Sequence, residues 1–332
     1  MLTLGIETSC DETSVAVVDS GRRVLSNAIL SQSVHTRFGG VVPEVASREH
    51  VRTILPIYRQ ALADAGVGRD DIQLIAATMG PGLVGPLLVG LSFAKGMAWG
   101  LNLPFVAVNH MEGHLAANLL AAPDLNDNHL TLIVSGGHTM LVHVRSFGEY
   151  EIMGRTVDDA AGEAFDKVAK VMGLGYPGGA ALDALAKTGD RKYVRFPRAM
   201  RHDGYRFSFS GLKTAVTQYL DKLPEAERES RLADIAASFQ EAVVEVLVDK
   251  TVQAAQERQI SDVTISGGVA ANSRLREVMQ QKLSRAGKRF FVPPLSLCTD
   301  NAAMIAAAGY FRYRKWGKTE FVVDAVPYLP LD

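Results

Sequence analysis

The order of apolar and polar stretches predicts most of the architecture. Leu2–Ile6 is an apolar run, Glu7–Glu12 is polar, and Thr13–Val18 is apolar and β-branched. The same succession recurs at Leu130–Val134, Ser135–His138 and Thr139–Val144. Each reads as a β-hairpin with a polar or glycine-rich tip. Their separation is about one domain length, which points to a duplicated unit with its boundary near Pro123–His129. We therefore expect an N-terminal domain over residues 1–125 and a C-terminal domain over 126–332.

Apolar positions spaced three and four apart predict a helix over Ser47–Ala65, with Val51, Ile54, Leu55, Tyr58 and Leu62 on one face. A strand Leu74–Met79, a Gly-Pro loop, a helix Leu87–Gly100 and a strand Phe105–Asn109 follow. Asn109 is placed to cap a helix over His110–Leu120. The second half predicts helices at Ala160–Val171, Ala180–Lys187, Arg231–Gln256, near Asn272, and at Asn301–Trp316. A strand at Val263–Ile265 leads into Ser266-Gly267-Gly268. Strands alternating with helices give an α/β fold. Two such halves facing each other would make a cleft for a nucleotide.

Composition narrows the classes. The chain has 332 residues, 47% hydrophobic and 21% charged, which is globular composition. The net charge of −1 excludes recruitment of a partner by bulk charge, so a nucleic acid would need a local patch. Two distant cysteines, Cys10 and Cys298, form no CxxC pair and fit a reducing compartment. The N-terminus carries Glu7, Asp11 and Glu12 before any cation, unlike a secretory or transit leader. The uncharged run between Asp71 and Lys95 is long, but its glycines and prolines read as strand, loop and buried helix. We expect a cytoplasmic protein with no membrane partner.

Several constellations could carry chemistry. Ser135-Gly136-Gly137-His138-Thr139 and Ser266-Gly267-Gly268-Val269-Ala270-Ala271-Asn272 could present backbone N–H groups to an anion. With Thr8–Thr13 they make three polar loops at strand ends, which suits a nucleotide. Neither a P-loop nor a dinucleotide fingerprint is present. His110 and His114 lie at i and i+4 on one helix face, a spacing suited to one metal or to a solvated, capping pair. The protease pattern fails, because Met111 stands where the general base belongs and Glu112 lies one step on. Asp300 could complete a two-His, one-carboxylate site or, like Thr299, simply cap the last helix. Asp159, Glu163 and Asp166 share a helix face, either as a salt-bridged surface with Lys167 and Lys170 or as a carboxylate set for a ribose. Asp183 could serve the same diol. Asp11, at the first hairpin's tip, is either a turn residue or a proton acceptor. Lys187–Lys213 holds eight cations against two acids, with Tyr193, Phe196, Tyr205, Phe207 and Phe209 interleaved. That mixture suits RNA backbone and unstacked bases, or ordinary surface.

Nine motifs together resemble one family. They are Gly5-Ile-Glu-Thr-Ser-Cys-Asp-Glu-Thr13, Gly39-Gly-Val-Val-Pro-Glu44, Gly80-Pro-Gly-Leu-Val-Gly85, His110-Met-Glu-Gly-His114, Val134-Ser-Gly-Gly-His-Thr139, Ala160-Ala-Gly-Glu-Ala-Phe-Asp-Lys167, Phe207-Ser-Phe-Ser-Gly-Leu-Lys213, Ser266-Gly-Gly-Val-Ala-Ala-Asn272 and Cys298-Thr-Asp-Asn301. In order, over nearly the whole chain, they are similar to the tRNA N6-adenosine threonylcarbamoyltransferases of bacterial type. The resemblance implies a duplicated actin/Hsp70/sugar-kinase-like (ASKHA) fold. It implies transfer of threonylcarbamoyl from threonylcarbamoyl-adenylate to N6 of the adenosine 3′-adjacent to the anticodon, in tRNAs reading ANN codons, with AMP released. His110, His114 and Asp300 would hold one Fe2+, with Zn2+ or Mg2+ as substitutes in vitro. Ile133, Val134, Ser135, Gly136, Gly137, Asp166, Gly179, Asp183 and Asn272 would hold the adenylate. A shorter paralogous subunit of the same fold and a small P-loop ATPase would be partners. An ASKHA-fold ATPase or kinase, a metalloprotease and a non-haem iron oxygenase are the competing classes.

Overall fold

The computed structural model describes residues 1–331. They form two compact units. One is Met1–Leu125 together with the segment from Pro293 onward, and the other is Asn126–Val292. The C-terminal segment, expected with the second half, is therefore part of the first.

The first unit holds strands β1 (Leu2–Glu7), β2 (Glu12–Asp19), β3 (Arg23–Ser31), β4 (Leu74–Gly80) and β5 (Phe105–Asn109). They form one sheet in the order β3-β2-β1-β4-β5. β1 pairs antiparallel with β2 and parallel with β4, β2 pairs antiparallel with β3, and β4 pairs parallel with β5. Helices α1 (Pro43–Ala65), α2 (Val84–Leu101) and α3 (His110–Ala121) connect or follow these strands.

The second unit holds β6 (His129–Val134), β7 (Thr139–Ser146), β8 (Glu149–Arg155), β9 (Asp262–Ser266) and β10 (Arg289–Phe291). Their order is β8-β7-β6-β9-β10 with the same parallel and antiparallel senses. The repeat read from two hairpins is thus a whole five-strand topology. Helices α4 (Ala161–Val171), α5 (Gly179–Ala186), α6 (Ser210–Lys222), α7 (Glu225–Glu257) and α8 (Ser273–Arg285) complete this unit.

The last helix, α9 (Ala302–Trp316), explains why the chain returns to its first unit. Ala302, Ala303, Ala306, Ala307 and Ala308 are all fully buried. Such a small-residue face lets the helix backbone lie directly on the sheet. Gly5 of β1 is the counterpart. A Cβ there would overlap the Ala302 carbonyl oxygen and come within 2.7 Å of the Ala306 nitrogen. Gly309 rests in the same way on Ala76 of β4.

Among the described residues one helix, α2, has the length and apolarity to cross a membrane. Leu87, Leu91, Ala94 and Ala98 of this helix are buried, and Leu91, Ala94 and Ala98 pack in the apolar core of the first unit.

A methyl group at position 5 has nowhere to go except into helix backbone. Gly5→Ala should therefore destabilise the protein by about 2–3 kcal/mol, the upper range for overpacking a core. Urea unfolding monitored by circular dichroism measures this. A loss under about 0.5 kcal/mol, the range of a neutral surface change, would mean that α9 does not rest on β1 as described.

Candidate functional site

The first hairpin and two helices build one site in the first unit. α3 begins immediately after β5, and Asn109 makes the junction, its Oδ1 accepting from the Met111 N–H at 2.8 Å. This is the cap expected from sequence. It sets His110 and His114 on the same helix face, with ring centroids 4.8 Å apart. α9 supplies the third member. Its N-cap is Asn301, whose Oδ1 accepts from the Met304 N–H at 3.1 Å. The capping role considered for Thr299 or Asp300 is thus filled by their neighbour, and the Asp300 carboxylate is free to point elsewhere.

Asp300 points at the histidines. Its Oδ1 lies 3.4 Å from His110 Nε2 and 3.3 Å from His114 Nε2. Two donors each roughly 2.1 Å from one ion sit roughly 3–3.5 Å apart, so the spacing fits a metal. These three residues are the one such cluster among the described residues. His114 is the sharper observation. It is fully buried, and apart from the Asp300 carboxylate facing Nε2 neither ring nitrogen has a hydrogen-bond partner among the described residues. A buried imidazole so sparsely partnered is costly in a protein core, and a cation between Nε2 and Asp300 would satisfy that nitrogen. The donor set of two imidazoles and one carboxylate suits iron and leaves coordination positions open.

Sequence reasoning missed Glu7. It is fully buried at the end of β1 and accepts from His110 Nδ1 at 2.9 Å and from Thr78 Oγ1 at 2.6 Å. It also accepts from the Ser9 N–H at 2.5 Å. A carboxylate on Nδ1 fixes the ring so that Nε2 faces the ligand position, the usual outer support of a metal-binding histidine. Burial pushes both carboxylates up and His110 down. Their mutual charges outweigh this, so Asp300 lies well below the usual carboxylate range, Glu7 lies below it, and His110 lies well above an ordinary imidazole. The only forward signal for Glu7 was an acid ending a buried strand.

The neighbouring loop is acidic and protonated in part. Burial, Asp300 and Asp11 push the Glu12 carboxyl up to about 9. Burial and the same acids raise the Cys10 thiol, which removes it as a nucleophile. Asp11 anchors its loop through its carbonyl, which accepts from the Gln32 N–H at 3.0 Å. Glu112, the misplaced acid of the protease pattern, pairs with Arg312 of α9 at 2.5 Å and is buried. It pins α3 to α9 and is not aimed at the metal ligands.

The second unit gathers the glycine turns. Ile133 and Val134 are fully buried strand residues that position the turn Ser135–His138. That turn is closed by the Ser135 N–H on the His138 carbonyl at 2.8 Å. A Cβ on Gly136, Gly137, Gly179 or Gly268 would meet nothing within 4 Å, so their faces are open. The packed glycines knit the turns together. A Cβ on Gly162 of α4 would come within 2.5 Å of the Ser135 carbonyl oxygen, and one on Gly267 would overlap the Val134 carbonyl. The circuit continues through hydrogen bonds. Asp166 of α4 accepts from the Gly178 N–H at 2.8 Å, next to Gly179. Asp183 of α5 accepts from Ser273 Oγ at 2.9 Å. Ser273 follows Asn272, which caps α8 on the Leu275 N–H and donates to Gln240. The structure therefore links the predicted adenylate residues within one unit. Asp159 and Glu163 instead bind Lys167 at 2.6 and 2.9 Å, a salt-bridged surface.

The basic stretch is corrected in two respects. Arg198 and Arg201 pair with Glu245 and Asp249 of α7, Arg206 with Asp203, and Lys187 with Asp183. The local charge excess is thus smaller than the cation count. The interleaved Phe196, Phe207 and Phe209 are at most 4% exposed, so they form core and offer no faces to bases. Phe207 and Phe209 stack on each other at 6.3 Å. The Phe-Ser-Phe-Ser alternation is the period of a half-buried extended segment. Its serines serve Asp158, which accepts from Ser208 Oγ at 2.5 Å, Ser210 Oγ at 2.7 Å and the Phe209 N–H at 2.8 Å.

Comparison with solved structures defines the class. HypF from T. kodakarensis superimposes with a TM-score of 0.62 at 16% identity, over 93% of this chain and 47% of that one. Component A of (R)-2-hydroxyglutaryl-CoA dehydratase from Acidaminococcus fermentans gives 0.57 at 15% identity, over 95% and 98%. The fold is of the ASKHA type, with which the repeated sheet is consistent. The chain belongs to the tRNA N6-adenosine threonylcarbamoyltransferase family, whose model matches residues 23–307. A curated relative of that name from Caldicellulosiruptor bescii is 53% identical over 100% of this chain and 98% of its own length. One from Clostridium botulinum is 52% identical over 99% and 97%.

Two outcomes follow. Glu112→Gln should retain the bound metal and family activity while lowering stability by about 1–3 kcal/mol, less than for a fully buried pair because Arg312 reaches water. Loss of all activity at full stability would restore Glu112 as a catalytic base. Asp158 is held below the usual carboxylate range: burial raises it, but the bonds from Ser208, Phe209 and Ser210 outweigh this. A depressed carboxylate stabilises the fold above its unfolded value near 4 and stops doing so as pH falls through the lower folded value. Asp158→Ala should therefore cost about 1–2 kcal/mol at pH 7 and progressively less below pH 4, measured by thermal melts across pH. An equal cost at pH 7 and pH 2 would contradict this.

Proposed function

We propose that this chain transfers the threonylcarbamoyl group from threonylcarbamoyl-adenylate to N6 of the adenosine 3′-adjacent to the anticodon in tRNAs reading ANN codons, releasing AMP. The observation that carries the reading is the buried cluster of His110, His114 and Asp300, in a chain that matches its relatives over nearly their whole length. An adenine amino group is a weak nucleophile because its lone pair is delocalised into the ring. The acyl donor must therefore be activated, and a mixed carbamic–phosphoric anhydride is. N6 attacks the carbamoyl carbon, the bond from that carbon to the phosphate oxygen breaks, and AMP leaves.

His110, His114 and Asp300 would hold the metal, which we take to be Fe2+; when bound it supplies Lewis-acid polarisation and orientation of an acyl oxygen. Glu7 keeps His110 in register for that role. The turn Ser135–Gly137 offers N–H groups to the donor phosphate, and Asp166, Gly179, Asp183 and Asn272 frame the nucleoside, with Ile133 and Val134 beneath the turn. Asp11 receives the proton released from N6. Positioning supplies much of the remaining acceleration.

The same reading assigns partners. A shorter paralogous ASKHA subunit and a small P-loop ATPase would act with this chain in the cytoplasm, with no membrane involved. Support for a protein partner comes from Val51 and Leu55 on α1 and Val84 and Leu88 on α2, apolar side chains between 42% and 65% exposed on two adjoining helices. The paired cations of the second unit also leave more of the tRNA to be held by partners.

The test is direct. The purified chain with its partners, threonine, bicarbonate, ATP and unmodified tRNA should yield N6-threonylcarbamoyladenosine, detected by mass after digestion. ATP turnover without tRNA, and no modified nucleoside, would favour an ATPase or kinase. His114→Ala should lose bound metal and at least about 100-fold of the transfer rate, at the upper end of what an outer-shell change costs. Full activity in that variant after metal removal would eliminate the metal from the reaction.

A further inference from the structure

Beyond α9 the described residues, 317–331, have no regular structure, yet they are held by specific bonds along most of their course. The Thr319 N–H donates to the Phe105 carbonyl at 2.7 Å, and Thr319 Oγ1 accepts from the Ala107 N–H at 3.1 Å. These bonds cover the outer edge of β5, the last strand of its sheet. Lys95 Nζ binds the Val323 carbonyl. The Val326 N–H donates to the Met79 carbonyl at 2.7 Å, and the Pro327 carbonyl accepts from the Gly82 N–H at 3.1 Å. Finally the Pro330 carbonyl accepts from Asn109 Nδ2 at 2.6 Å.

The last two bonds lead toward the candidate metal ligands, one directly and one through a short relay. Asn109 uses both ends of its amide: Oδ1 caps α3 and Nδ2 holds Pro330. His110 is the next residue, and His114 lies one turn further on. The second route runs through the loop after β4. Gly82 is held by Pro327, and its neighbour Leu83 donates its N–H to the Ser9 carbonyl at 2.8 Å. Ser9 in turn donates its N–H to Glu7, and its hydroxyl lies 3.3 Å from His110 Nδ1. Gly80 permits this route, because a Cβ there would overlap the Val326 carbonyl.

We infer that the C-terminal strap, residues 319–330, positions the metal ligands: through Asn109 it sets the first turn of α3, and through Gly82 and Ser9 it sets the Glu7–His110 contact. Asn109 is thereby a positioning residue, since both ends of its side chain are engaged by the Met111 N–H and the Pro330 carbonyl. Edge protection alone needs only the Thr319 bonds. Nothing in that role explains a carbonyl from the end of the strap delivered to the cap of the ligand helix. The inference rests on the metal reading above.

Asn109→Asp and Asn109→Ser separate the two functions of the amide. Each keeps an oxygen to cap α3 and removes the donor to Pro330, and the serine variant does so without adding charge. A chain ending at Ala325 removes the strap's last three contacts outright, those of Val326, Pro327 and Pro330. The full chain and each variant would be titrated with Zn2+ against a chromophoric chelator, and loaded with Co2+ for its visible spectrum. Thermal melts run alongside establish that each variant is folded. The expected result is 10- to 100-fold weaker Zn2+ binding, the range for loss of outer support, with altered Co2+ d–d bands in cooperatively folded protein. Wild-type Zn2+ affinity and an unchanged Co2+ spectrum in folded Asn109→Ser would overturn the strap's role while leaving the metal site intact. If the unaltered chain binds neither ion, the metal reading fails and the strap inference falls with it. Should the truncated chain not fold, the two point variants still decide the matter.

Discussion

The structure depends on the contact of one helix backbone with one strand backbone. α9 lies on β1 because Gly5 has no side chain and α9 offers alanine where it lands. That approach fixes the height of α9 above the sheet. The Glu112–Arg312 pair and the packing of α3 on α9 then fix its rotation. Asp300 sits just ahead of the first turn of α9, so these constraints bring its carboxylate to the two histidines of α3. A core built from small residues gives up apolar area per residue, but it gains a short, rigid distance. Precision at a metal centre needs that more than it needs bulk.

Charge at the centre is balanced before any cation arrives. Glu7 and Asp300 flank His110, and their carboxylates hold its proton in the metal-free protein. Burial, Asp300 and Asp11 raise Glu12 nearby, so the hairpin tip of the metal-free protein carries less negative charge than its sequence suggests. In the second unit the acids have a different use. Asp158, Asp166 and Asp183 each accept N–H or O–H groups from an adjoining loop or helix start. They shape the turns that leave Gly136, Gly137 and Gly268 with open faces.

Much of this was legible in the sequence, for physical reasons. Strong apolar periodicity placed α2, β5, α3 and α9 to within a few residues. Asn109 and Asn272 revealed two helix starts because a short polar side chain at a cap is a local signal. The third strands β3 and β8 were missed, since they are half-exposed and their alternation is weak. The place of the last forty residues was missed because the determinant is long-range. Only the match of Gly5 with Ala302 and Ala306 shows it, across almost the whole chain. The aromatics of Phe196–Phe209 misled for the converse reason: beside arginines they imitate an RNA surface, and burial is invisible in composition. The motif resemblance supplied the candidate metal ligands that spacing alone left open, and the geometry independently brings His110, His114 and Asp300 together. Glu7 needed the structure, since its role is defined entirely by what it touches.

The central claim is that His110, His114 and Asp300 hold one cation in the first unit. X-ray absorption fine structure on the purified full chain, with metal content determined on the same sample, tests this directly. The account predicts one metal per chain, with a first shell of nitrogen and oxygen donors and the outer-shell scattering of two imidazoles. A metal-free active protein, or an absorber with no imidazole signature, would contradict it.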